Sequence, residues 1–259
     1  MHYLMGAIEI ELLKVRKSKM LWVTLAAFTL APLMGGFFMF VLKNPDFAAS
    51  SGLLGAKAQI FGEANWPAYF SLLAQIIAIG GILVFGFVTS WIFGREYTDR
   101  TIKDLLALPY HKGVIVLAKF IAMTVTAVLL SLYVIVLGML LGAAIGLPGW
   151  SMAAAAEGFN MLLITVGLTV ALSTPAAFFA CYGKGYLAPL GFVVVMIVLS
   201  QIIAAIGYGH YFPWAIPALF SGITDGLYVL TWSNFSIVFL TGFIGFIGTF
   251  VWWLKADQQ

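Results

Sequence analysis

Six apolar runs, each long enough to cross a lipid bilayer, constrain this chain more than any other feature. They fall at residues 21–42, 68–93, 114–147, 152–180, 186–207 and 235–254. A stretch of about 20 apolar residues spans the hydrocarbon core as a helix. In lipid every backbone N–H and C=O must be satisfied within the structure, so continuous runs of this kind are helical. A β-barrel would instead show short segments of alternating polarity. The expected fold class is an all-α polytopic membrane protein, with residues 1–259 forming a single transmembrane domain. Composition agrees: 63% of residues are hydrophobic and only 9% charged, against about 45–50% and 25% in soluble domains.

The basic residues predict the orientation, because cytoplasmic loops carry the excess of Lys and Arg. With the N-terminus inside, the cytoplasmic pieces hold all but Lys43 and Lys57 of the 13 basic residues. An even number of spans returns the C-terminus to the same side. The expected location is the bacterial cytoplasmic (inner) membrane, with both termini cytoplasmic. No cleavable signal peptide is visible. The net charge of +3 is too small to indicate nucleic-acid binding, and the single cysteine, Cys181, excludes an internal disulfide.

Three regions lie outside the spans. Residues 3–19 read as an interfacial amphipathic helix: Leu4, Met5, Ile8, Leu12 and Val15 share one face at helical spacing, while Lys14 and Lys17, with Arg16 nearby, lie toward the other. The external stretch 43–67 is rich in small residues and has room for a short helix. The external stretch 208–232 carries Pro213, Pro217 and several aromatics, which fits an interfacial hairpin or a broken helix capping the outer face. Pro32 with Gly35 and Gly36 in the first span, and Ser173-Thr174-Pro175 in the fourth, mark expected kinks.

The densest polar cluster is 93–112, between the second and third spans. Thr101 and Asp104 have capping-box spacing. Ile102, Leu105 and Leu106 form one apolar face, and Pro109 ends the element. A short amphipathic helix over 98–109 is predicted, and its apolar face needs a lipid surface or a protein groove.

The run Arg95-Glu96-Tyr97, Thr101-Ile102-Lys103 and Leu105-Leu106-Ala107-Leu108-Pro109, followed by Lys112 and Lys119, resembles the permease subunits of type-2 ABC transporters. Within that superfamily the chain is most similar to the small permeases of the bacitracin-resistance and lantibiotic-immunity kind. The basic residue usual soon after the proline appears here as His111-Lys112, a slight departure. The resemblance implies a dimer of this chain, or a pair with a related permease, joined to two copies of an ATP-binding cassette subunit. ATP and Mg would be bound by that partner. The chain itself has no phosphate loop, the nearest string being Gly183-Lys184-Gly185. The resemblance also assigns 98–109 as a coupling helix. Ile102, Leu105 and Leu106 would be apolar anchors, and Glu96, Arg100, Lys103 and Asp104 rim charges.

Other polar residues within the spans are sparse. Gln75, Asn160, Thr165, Thr169 and Gln201 either line a path or bond between helices. Glu157 and Asp225 lie near the outer interface, where solvation accounts for them. The three histidines form no H-E-x-x-H, and neither G-x-S-x-G nor paired intramembrane carboxylates occur. This argues against an intramembrane enzyme or a metal site. An ion-driven secondary transporter would favour buried acids and matched broken helices in two halves. The expected function is a permease subunit of an ATP-driven exporter of amphipathic cargo, non-catalytic itself.

Overall fold

The computed structural model describes residues 2–44, 63–107, 111–222 and 230–255. Among these residues the regular structure is helical throughout. The helices are α1 (His2–Lys17), α2 (Lys19–Lys43), α3 (Trp66–Thr98), α4 (Ile102–Leu106), α5 (Lys112–Ile145), α6 (Met152–Tyr182), α7 (Leu187–Ala205), α8 (Ile216–Phe220) and α9 (Trp232–Lys255). Six of them, α2, α3, α5, α6, α7 and α9, are long and apolar enough to cross a membrane. The protein is an all-α, multi-pass membrane protein.

Ser18 separates α1 from the first span. Its backbone is extended (φ −84°, ψ 149°), its Oγ accepts from Leu21 N–H at 3.4 Å, and the hydroxyl donates to Val15 O at 2.7 Å. One side chain thus ends α1 and caps α2. α1 lies across α5. Its inward face is Leu4, Ile8, Glu11, Leu12 and Val15, with Val15 and Glu11 buried. Met5, expected on that face, is exposed.

α3 and α6 are the most buried spans and pack together as the centre of the bundle. Burial there depends on small residues that let backbones approach. A Cβ at Gly158 would lie 2.4 Å from Phe70 Cγ, and one at Gly138 2.6 Å from Leu73 Cδ2. The helix containing Pro32 runs unbroken. Gly35 and Gly36 are buried there against Leu72 and Ile76 of α3 and Leu141 of α5. In the fourth span, Thr174 Oγ1 donates to Gly242 O at 2.6 Å, and Pro175 is the surface on which Gly245 of α9 rests. The glycine spacing 242, 245, 248 therefore marks the α6–α9 seam. A Cβ at Gly245 would stand 2.5 Å from the Pro175 nitrogen, which is backbone and cannot rotate away. Gly245→Ala is expected to lower stability by about 1–3 kcal/mol, read as an earlier thermal transition of the detergent-solubilised protein. Gly167→Ala, where a Cβ meets nothing within 4 Å, should show no loss.

At the end remote from α1, Asn65 caps α3 by accepting from Ala68 N–H at 2.9 Å, and Gly146 (φ +67°) closes α5. Lys43, one of two exceptions to the charge bias, has a local partner here. Its Nζ donates to Ile145 O at 2.6 Å and Gly146 O at 2.8 Å, a cation on the carbonyl end of a helix. Trp66, Phe70 and Trp150 cluster beside it, with ring centroids 5.6 Å and 4.8 Å apart for Trp66–Phe70 and Trp66–Trp150.

The expected outer hairpin is a broken helix that dips into the bundle. Two 3-10 turns (Gly209–Tyr211, Pro213–Ala215) lead into α8. Trp214 and Ile216 are buried in one cluster with Ile82, Leu168, Leu172 and Val193, residues well inside their spans. Ser71 Oγ donates to Ser221 O at 2.5 Å and Asn234 Nδ2 to His210 O at 2.6 Å, fastening the segment to α3 and α9. Asp225 and the 45–62 part of the first external stretch lie outside the described residues.

Candidate functional site: the charged end of the bundle

The last turn of α3 carries Arg95, Glu96, Tyr97 and Thr98. Helical spacing turns Glu96 inward and Arg95 outward. Arg95 bridges to Asp99 at 3.2 Å and lies over the Trp91 ring, 4.9 Å from its centroid.

α3 ends in a Schellman turn. Thr101 N–H donates to Glu96 O at 2.9 Å and Arg100 N–H to Tyr97 O at 3.2 Å. This closure needs a left-handed residue after the cap, normally glycine. Arg100 takes it at φ 58°. α6 closes the same way next door, with Lys184 at φ 49°. Gly94 lies against that turn, where a Cβ would be 2.8 Å from Gly185 O.

The turn releases the chain into α4, which is shorter than the predicted 98–109 element because α3 itself runs through Thr98. The expected capping box is absent. Thr101 has φ −95° and ψ 3°, not extended backbone, and its side chain makes no cap bond. The helix is anchored from its apolar side instead. Ile102 is 7% exposed, in one core with Val15, Ile92 and Ile115, and Leu105 packs partly buried against that core. These two anchors therefore face the chain's own interior. The outward surface of the element is polar: Arg100, Thr101, Lys103 and Asp104 are all exposed. The Leu106 side chain and Pro109 lie outside what is described.

Glu96 also departs from its expected place as a rim charge. It is 4% exposed, and its Oε1 accepts from Lys119 Nζ at 2.9 Å and Lys14 Nζ at 3.0 Å. Glu11 completes a four-membered network, at 2.7 Å from Lys14 and 3.3 Å from Lys119. Lys119 is fully buried and also donates to Ile92 O at 2.8 Å. Two ammonium groups and two carboxylates from α1, α3 and α5 thus neutralise one another where water is scarce. Charges taken out of water require this close pairing. The network fixes α1 to the turn from which α4 emerges.

Of the other predicted residues, Ile8 and Leu12 are half-buried on the α5-facing side of α1, and Arg16 and Lys17 are exposed. The five candidate path residues do not converge. Thr165 and Thr169 are buried and donate to Met161 O and Thr165 O of their own helix. Gln75 donates to Ser71 one turn away, and Asn160 and Gln201 are on exposed faces, as is Glu157.

Sequence reasoning passed over Glu11 and Lys119 as members of a site. Both gave a signal. Glu11 shares a face with Leu4, Ile8 and Val15, and Lys119 sits inside the apolar run 114–147. A lone ionisable residue within a span points to a partner.

The comparisons with known proteins agree with this architecture. Residues 7–200 match the family model described as ABC-2 family transporter protein. A bacitracin transport permease protein of Bacillus licheniformis is 28% identical over 183 residues, covering 70% of this chain and 88% of that relative. With six candidate spans and a matched region running from α1 into the fifth span, the chain belongs to the ABC-2 transporter family and is the membrane-spanning permease subunit of an ABC exporter.

Proposed function

We propose that this permease is driven through α4 by a separate ATP-binding subunit, which binds the ATP and Mg and carries out the hydrolysis. It works as a pair of copies, or with a related permease, on two such subunits. The observation that carries this reading is the buried Glu11–Lys14–Glu96–Lys119 network beneath a short helix whose exposed side is polar. A displacement of α4 reaches α1, α3 and α5 together through that anchor.

Under this reading the charged end faces the cytoplasm, both termini lie there, and the membrane is the inner one. The cargo is amphipathic, with peptide antibiotics of the bacitracin kind as the first class to test. The relative's transport role supports this class, as does the scarcity of charge within the spans.

The test is reconstitution of the permease with a candidate ATP-binding cassette subunit. Proteoliposomes should move bacitracin only with ATP, and a Lys103→Cys variant should react with an impermeant maleimide only from the cytoplasmic side. Native Cys181 is buried and leaves the background low. Cargo movement on an ion gradient without ATP would refute the reading.

A further inference from the structure

A cleft of about 470 Å³ opens beside the network, between α1, the start of α2 and the end of α3. Lys14, Lys17, Lys19 and Arg95 line it, with Asp99 as its acid. Asp99 is engaged by Arg95, and Lys14 by Glu11 and Glu96. Lys17 and Lys19 are exposed and form no ion pair among the described residues. The cleft therefore presents uncompensated positive charge.

Its remaining wall is amphipathic. Tyr186 supplies a phenol, and partial burial pushes that group up from its ordinary pKa, so it remains a hydrogen-bond donor. Ile10 and Leu13 of α1 line the other side and are 50% and 47% exposed. Lys19 is the first residue of the first span, so the cleft lies at the depth where a helix leaves the interface for the hydrocarbon. Trp22, one turn further in, is 71% exposed on the same helix. An anion held here would have apolar surface directly beneath it. A free phosphate would use only the charges; a phospholipid would use both.

We propose that this cleft is a binding site for the phosphate headgroup of an anionic phospholipid, with Lys17, Lys19 and Arg95 as its cationic contacts. Bound lipid would brace α1 against α3 from the open side, opposite the buried ion pairs.

The experiment is native mass spectrometry of the purified full chain, offered equal amounts of phosphatidylglycerol and phosphatidylcholine. The wild type should retain phosphatidylglycerol preferentially. Lys17→Gln with Lys19→Gln should lower that retention about thirtyfold, given the contribution of each cation beside an anionic headgroup. The doubly Arg-substituted protein should restore it. Lys112→Gln with Lys255→Gln, which removes equal charge outside the cleft, should leave it unchanged. Equal retention of the two lipids by the wild type would overturn the proposal, as would equal losses in the two Gln variants. Displacement of the lipid by millimolar inorganic phosphate would assign the site to free phosphate. Unchanged lipid retention, with lost ATPase association in the Lys17/Lys19 variant, would assign the cleft to a protein partner.

Discussion

Lys119→Met should yield a protein that reaches the membrane poorly and unfolds early in detergent. The methionine fills most of the lysine's volume, so packing changes little. The loss is electrostatic: Glu11 and Glu96 then share only Lys14, and one buried negative charge is left uncompensated. Removing one partner from a buried ion pair costs about 3–5 kcal/mol. The measurement is thermal unfolding of the solubilised protein against wild type. A second substitution makes the cause visible. Glu11→Gln on the Lys119→Met background removes the surplus charge, leaving Lys14 with Glu96, and should recover part of the loss. A double variant no better than the single one would show that Lys119 acts through packing rather than charge.

Arg100→Glu with Lys103→Glu should leave the fold intact and abolish coupling to the ATPase. Both side chains are exposed and neither belongs to the buried network. Under the proposed docking of α4, however, two cations that set register are replaced by anions. Like-charge juxtaposition at an interface costs several kcal/mol, so the complex should weaken about a hundredfold or more. Co-purification and permease-stimulated ATP turnover would register it. Unchanged thermal unfolding would confirm that the loss is one of docking. Retained association would remove α4 from the interface.

The spans were legible because apolar length is a strong signal, and the observed ends of the six long helices differ from the expected ones by a few residues. The division between residues 3–19 and the first span was legible from the basic run at its end, but the bonds of Ser18 that make the break were not. The inward dip of 208–222 was legible as broken helix but not as depth. Prolines and aromatics announce irregularity, whereas burial of Ile216 against Ile82 and Leu172 is set by helices distant in sequence. The candidate site was half legible. The position of α4 followed from Ile102, Leu105 and the preceding polar run. Its apolar face was assigned to a partner because amphipathicity reveals two faces but not which neighbour covers the apolar one. Glu96 was misplaced for a related reason: in a loop it would be a surface charge, but α3 extends through Thr98 and makes it part of a helix interior.

The elbow at Arg100 has an energetic consequence. A left-handed residue with a Cβ costs roughly 1–2 kcal/mol that glycine does not incur. The ends of α5 and α7 close on glycines, Gly146 and Gly207, whereas the closures of α3 and α6 bear that cost, at Arg100 and Lys184. The bend between α3 and α4 is thus held by two turn bonds and the seating of Ile102 against a backbone that favours continuing straight. Were Arg100 to relax into right-handed helix, the second span would lengthen past its present end at about 1.5 Å per residue, turning a hinged foot into a rigid piston.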